Sequence, residues 1–317
     1  MSTSTTLNDR AAKLFDAVVA EAAALGVIVH RDGSATIVDF GIAAPGSVEA
    51  GRRLAEICLA GLGTVAVGEP IAAVGPWSTI SVRTTSPLAA CLYSQYAGWQ
   101  LAGGKFFAMG SGPMRAAAAR EPLFAEFGFQ EKSATVVGVL ETRKLPPKEI
   151  VTEIAQRCGV APDGVRLCVA PTASLAGTLQ VVARSVETAL HKLHELKFDV
   201  RRVVSGTGTA PLPPVAKDDL AAIGWTNDAV LYGGDVVLEV RGDDASLEAV
   251  GPHVPACASP DYGRPFAEIF ERYNRDFYKI DPHLFSPALV TFVNLDTGRT
   301  FRYGEINPDV LRRSFES

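Results

Sequence analysis

Residues 180–196 read QVVARSVETALHKLHEL, and apolar residues recurring at helical spacing predict a helix there. Arg184 and Glu187 stand three residues apart in it, so they share a face. A pair of this kind has two common fates. On a solvated face it is an ion pair worth about 0.3–0.5 kcal/mol. In a pocket, burial raises the carboxyl pKa while the arginine lowers it, and a carboxylate so poised can act as general base and then general acid. Spacing alone favours the surface pair, and two neighbouring segments add a little weight to the pocket. The helix follows the loop PTASLAG (171–177), in which Thr172 and Ser174 offer hydroxyls. The next strand runs into SGTGTAPLPP (205–214), with Gly206, Thr207 and Gly208.

Other chemistries are poorly served. His191 and His194 are three apart on the same helix, but no His-Glu-x-x-His pattern and no paired cysteine spacing accompanies them, so no metal site is expected. GSGPMR (110–115) and GTGTAP (206–211) both begin Gly-x-Gly. Neither supplies the third glycine of a dinucleotide loop or the Gly-Lys-Ser/Thr of a phosphate loop, so both read first as tight turns. Glycine also lets a backbone approach a flat ligand. Gly110, Ser111 and Gly112 therefore join Gly206, Thr207 and Gly208 as candidate binding residues, and Gly112 and Gly208 are expected to line a cleft. No Gly-x-Ser-x-Gly elbow exists, and Ser111 and Ser174 read as turn or cap hydroxyls. Trp77, Trp99, Tyr93 and Tyr96 could stack on a heterocycle, although core packing is the commoner role of such rings.

The elements that must position these residues follow from periodicity and turn chemistry. Apolar spacing predicts a helix over 7–25. VIVHRDGSATIVDFG (27–41) reads as a hairpin turning at Asp32-Gly33, and APGSVEAGRRLAEICLAGL (44–62) as a helix capped by Ser47. Strands are expected at 63–70 and 78–86, and a helix opened by Pro87 follows. SATVVGVLETRK (133–144) is a strand, LPPKEIVTEIAQRCG (145–159) a helix and VRLCVAPTAS (165–174) a strand running into a loop. After the Arg/Glu helix come a strand over 198–214 and a broken strand pair over 228–242. PFAEIFERYNRDFY (265–278) is a helix, and ALVTFVNLDTGRTFRYG (288–304) a hairpin turning at 296–299. The β-α-β-α-β order over 133–208 predicts a two-layer α/β unit. The N- and C-terminal hairpins look alike, so 1–129 with 242–317 is expected to form one α/β domain and 130–241 a second, inserted one.

Bulk properties narrow the function. The 317 residues suit two domains, and 47% hydrophobic residues supply a core. A net charge of −5 with no basic block argues against a nucleic-acid partner. No apolar run is long enough to span a membrane, and the polar, then amphipathic, start does not read as a signal peptide. The five scattered cysteines fit free thiols in a reducing cytoplasm.

Taken in order, GSGPMRA (110–116), PTASLAG (171–177), ARSVETALHKL (183–193) and SGTGTAPLPP (205–214) make the chain resemble the methenyltetrahydromethanopterin cyclohydrolases, over nearly its whole length. Met114 departs from the pattern, standing where a smaller residue is expected. The resemblance implies two α/β domains with a substrate pocket between them and no metal or prosthetic group. It implies a small-molecule pterin substrate, no membrane partner, and assembly as a homo-oligomer, dimer or trimer. The reaction implied belongs to one-carbon metabolism: reversible hydrolysis of a cationic 5,10-methenyl bridge to the N5-formyl form. Arg184 and Glu187 fall on the family's catalytic arginine and glutamate, and Gly110, Ser111, Gly112, Thr172, Ser174, Gly206, Thr207 and Gly208 on its binding segments. The competing readings are a cyclohydrolase for a folate-type methenyl carrier and a non-catalytic pterin- or nucleotide-binding protein.

Overall fold

The computed structural model describes residues 5–31, 35–276 and 279–316. Among the described residues, strands β1 (Ile28–Arg31), β2 (Thr36–Asp39), β3 (Gly63–Gly68), β4 (Thr79–Thr84), β5 (Trp99–Gly103), β6 (Phe106–Ser111), β7 (Val136–Glu141), β8 (Val165–Ala170), β9 (Val203–Pro211), β10 (Asp235–Val240), β11 (Leu289–Asn294) and β12 (Thr300–Gly304) form two six-stranded sheets. The fold class is α/β, as expected. The chain divides into two compact units, Met1–Gly63 with Ala89–Gln180, and Thr64–Leu88 with Val181–Ser317.

In the first unit the strand order is β1-β2-β8-β7-β6-β5. β2, β8 and β7 run parallel, while β1, β6 and β5 pair antiparallel with their neighbours. Alternate side chains of β7 and β8 point to opposite faces. Val137, Val139, Cys168 and Ala170 pack with Phe15 and Val18 of the helix Leu7–Ala20 and with Leu54 and Ile57 of the helix Val48–Cys58. Val136, Leu140, Leu167 and Val169 pack with Ile150, Val151 and Ile154 of the helix Lys148–Cys158. The unit therefore has three layers, where the sequence suggested two. Strands buried on both faces carry continuous apolar runs, as VVGVL in β7 does, and such a run does not say how many faces are covered.

In the second unit the order is β12-β11-β10-β9-β4-β3. Only β10 and β11 are parallel among the pairs with a described register. The helix Ser185–Glu195 lies against β9, β10 and β4. The helix Asp219–Gly233 packs on β9 and holds the helices Phe266–Arg272 and Pro308–Phe315.

Three expectations are corrected. The terminal hairpins are not partners: β1–β2 joins β8 in one sheet, and β11–β12 joins β10 in the other. Likeness of local pattern carries no information about which strand edge a hairpin meets. The block 130–241 is accordingly split at Gln180, with β7 and β8 in the first unit and β9 and β10 in the second. Lastly, the first half of the supposed strand pair at 228–242 is helical. The helix Asp219–Gly233 is capped by Asp218, which accepts from the Ala221 N–H at 2.9 Å, and it is buried on several sides. A helix enclosed in this way shows no one-sided apolar period. The C-terminal hairpin forms as expected and turns through Gly298 at φ 74°. The Asp32-Gly33 turn and the expected helical positions Phe277 and Tyr278 lie outside the described residues. Among the described residues no helix is long and apolar enough to cross a membrane.

Asp228 fastens this second unit. It is wholly buried, and its carboxylate accepts from the N–H of Phe266 at 2.8 Å and the hydroxyl of Ser314 at 2.6 Å, joining three helices. Burial pushes its carboxyl up to about 8, against the pull of those two hydrogen bonds. The folded state thus holds this proton more tightly than the unfolded chain. The stability it contributes is present in acid and lost as pH rises through about 8. Thermal melts across this range should show the gap between wild type and Asp228→Asn narrowing, or changing sign in favour of the variant, as pH rises. A gap independent of pH would show that Asp228 does not titrate there.

Candidate functional site

The Arg/Glu segment is built differently from a single helix. One helix spans Leu175–Val182 and a second Ser185–Glu195, with Arg184 at the junction (φ −92°, ψ 7°) as N-cap of the second. The Arg184 carbonyl accepts from the N–H of Thr188 at 2.8 Å and from its hydroxyl at 2.7 Å. Glu187 thereby lies in the first turn, where the positive end of the helix dipole favours negative charge. Its Oε2 is 4.0 Å from Nη1 of Arg184, with the two side chains only 8% and 10% exposed. This is a buried pair at the outer limit of an ion pair, and the surface reading of the spacing does not hold.

GTGTAP is not a loop. β9 runs through it from Val203 to Pro211, pairing with β10 on one side and β4 on the other. Gly206 and Gly208 face the helix that carries Glu187. A Cβ on Gly208 would lie 2.3 Å from Ser185 Oγ and 3.0 Å from Val186 Cγ2; one on Gly206 would lie 2.6 Å from Val186 Cγ1. The helix itself occupies the space that the missing side chain of Gly208 leaves. Thr207, between them, points to the other face and is exposed. Further along the helix, Lys192 is buried, and its Nζ donates to the His283 carbonyl at 2.5 Å. Burial lowers its pKa to about 8, while Asp281 and Cys257 work in the opposite direction. His191 is half-buried, with Nε2 3.9 Å from Glu195 Oε1. Among the described residues no three His, Cys, Asp or Glu side chains converge to hold a metal.

The other candidates lie in the first unit. Gly110 and Ser111 end β6, opposite Leu140 and Val139 of β7. Ser111 is buried, and its Oγ lies 3.3 Å from both Cys58 Sγ and the Val139 carbonyl. Gly112 turns the chain at φ +88°, and its N–H donates to the Ser94 carbonyl at 2.8 Å. A Cβ there would crowd the β7 backbone, 3.2 Å from the Val137 oxygen. The Met114 thioether fills the space above Gly138 and Gly110, where no Cβ would fit. Arg115 is fully buried, forms a bidentate pair with Glu121 and donates to the Leu92 and Ser94 carbonyls, so it braces the π-helix Leu88–Gln95. The aromatics are likewise engaged within the chain: Tyr93 stacks on Phe129, Tyr96 lies under Arg115, Trp77 meets Phe315 edge-on and Trp99 joins the core.

Thr172 and Ser174 follow β8 at the carboxyl end of the parallel strands. Ser174 Oγ donates to the Pro171 carbonyl at 2.7 Å and accepts from the Gly177 N–H at 3.0 Å, as a cap does. Thr172 donates to Glu141, the last residue of β7. Asp39, at the end of β2, accepts from the N–H groups of Gly41, Ile42, Ala43 and Ala44 and shapes the adjoining loop. Neither carboxylate was singled out from the sequence. The available signal was position: each is an acid closing an apolar strand. The surface depression lined by Lys105, Phe106, Lys144 and Leu145 contains none of the candidate residues.

The geometry of each unit suits a protein that buries a carboxylate–arginine pair and presents polar loops at strand ends. The family model described as "Cyclohydrolase (MCH)" matches residues 6–315. The methenyltetrahydromethanopterin cyclohydrolase of Xanthobacter autotrophicus is 53% identical over 306 residues, covering 96% of this chain and 90% of the relative. The enzyme of that name from Methylobacterium sp. (strain 4-46) is 50% identical, covering 98% and 97%, and that of Methanospirillum hungatei JF-1 is 42% identical, covering 98% of each. The chain belongs to the methenyltetrahydromethanopterin cyclohydrolase family.

The helix–strand contact has a direct test. Gly206→Ala and Gly208→Ala should each cost about 1–3 kcal/mol through overpacking, read as a lower urea midpoint at unchanged slope. Wild-type stability with weakened substrate affinity would instead give these glycines a ligand-lining role.

Proposed function

We propose that the chain is a hydrolase that reversibly opens the cationic 5,10-methenyl bridge of a tetrahydromethanopterin-type carrier to the N5-formyl form. The observation that carries this reading is the family match over residues 6–315. The buried Arg184–Glu187 pair supplies a chemistry for it. An amidinium carbon is already electrophilic. As the oxygen of a water bonds to it, Glu187 takes one water proton. Glu187 then delivers that proton to the ring nitrogen, and the carbon–nitrogen bond breaks. The remaining hydroxyl proton leaves to solvent as the oxygen becomes the formyl carbonyl, so the net release is one proton per turnover. Arg184 orients the carboxylate and favours its charged form; it does not bind the methenyl cation, because like charges repel. Thr172 and Ser174, with Gly110–Gly112, belong to the substrate-binding segments in this reading. The reaction runs without a resident metal or prosthetic group, and the chain acts as a cytoplasmic homo-oligomer. The free cysteines fit that compartment.

Loss of methenyl absorbance, corrected for spontaneous hydrolysis, measures turnover. Glu187→Gln keeps the shape and cannot accept the proton, so it should fold normally and lose about 10²–10⁴-fold in rate. Near-wild-type turnover in this variant would remove Glu187 from the mechanism. A wild-type protein that binds the carrier without hydrolysing it would be a binding protein, and one active only on the folate-type carrier would belong to the folate reading. Dialysis against EDTA should leave the rate unchanged; a loss restored by added metal would overturn the metal-free mechanism.

A further inference from the structure

Glu141 is a carboxylate with unused capacity. It closes β7, whose other five residues are buried, and is itself half-buried. Among the described residues its hydrogen-bond donor is the hydroxyl of Thr172, and it takes part in no ion pair. Thr172 is fixed in turn, because its carbonyl accepts from the Thr178 hydroxyl at 2.9 Å. An ionised carboxylate offers about four lone-pair sites, so Glu141 can accept further donors beside the Thr172 hydroxyl. Its place matters too. β7 and β8 are adjacent and parallel, with Glu141 opposite Ala170, so carboxylate and hydroxyl meet just beyond the carboxyl ends of parallel strands. Open α/β sheets recruit ligands at such ends.

We propose that Glu141, oriented by Thr172, is a substrate-binding residue that holds the pterin head of the substrate by its amino-pyrimidinone edge. This rests on the reading of the chain as a methenyl-pterin cyclohydrolase. That edge presents a ring N–H beside an exocyclic amino group. These are two nearly parallel donors at the spacing a carboxylate accepts in bidentate fashion, as it does from a guanidinium. The Thr172 hydroxyl occupies one lone pair of Oε1 and leaves both oxygens able to accept. The negative charge also favours a cationic substrate.

The test separates binding from turnover. Glu141→Gln places an amide N–H₂ against the pterin donors, while Thr172 can still donate to its oxygen. With methenyltetrahydromethanopterin as substrate, KM should rise about 10- to 100-fold, the scale of losing a charge-assisted pair. The kcat should stay within about threefold, because the proton transfers at Glu187 are untouched. Glu141→Asp keeps the charge and should show a smaller rise in KM, which serves if the glutamine variant fails to fold. An unchanged KM in either folded variant, a fall confined to kcat, or a lower melting temperature with normal KM would overturn the proposal and leave Glu141 as a tether between strand ends. Wild-type protein inert toward the substrate would instead defeat the proposed activity itself, so the two failures are distinguishable.

Discussion

The close approach between the start of the helix Ser185–Glu195 and the glycines of β9 is the contact on which the candidate chemistry depends. Ser185 and Val186 occupy the room left by the absent side chains of Gly208 and Gly206. Glu187 follows them directly and Arg184 precedes them. A helix start locked onto a strand has little freedom to rotate, so the carboxylate and guanidinium are held by packing. That suits a general base, whose alignment must survive each turnover.

The first unit uses a different device. Two of its three parallel strands, β2 and β7, end in acids, and each acid holds a neighbouring loop. Asp39 gathers four backbone N–H groups and leaves its loop with fixed shape. Glu141 takes a single hydroxyl and keeps accepting capacity. The two carboxylates close strands that flank β8 on either side, yet one is satisfied by its own backbone and the other is open to an outside donor. That difference distinguishes a structural acid from a candidate binding acid more sharply than residue type can.

Much of the α/β pattern was legible because it is written in local periods. Runs such as VVGVLE and VRLCVA, capped helices such as that begun by Ser47, and the tail hairpin with Gly298 declare themselves within a dozen residues. The misreadings share one cause. GTGTAP looked like a turn because glycine is common in turns, whereas here it permits a close helix on a strand interior. DAVLY looked like a strand because a helix enclosed on several sides loses its one-sided period.

The sequence by itself determined the alternation of helices and strands, the absence of a metal-ligand pattern, and the residues Arg184 and Glu187 together with the motif order that marks the family. All of these are carried by neighbours in the chain or by linear order. Tertiary structure alone decided that the terminal hairpins join different sheets, that the Arg184–Glu187 pair is buried, that Gly206 and Gly208 serve packing, and that Glu141 meets Thr172. Each of these depends on which surfaces far apart in the chain come together. Burial and close contact are properties of those meetings, and no local spacing encodes them.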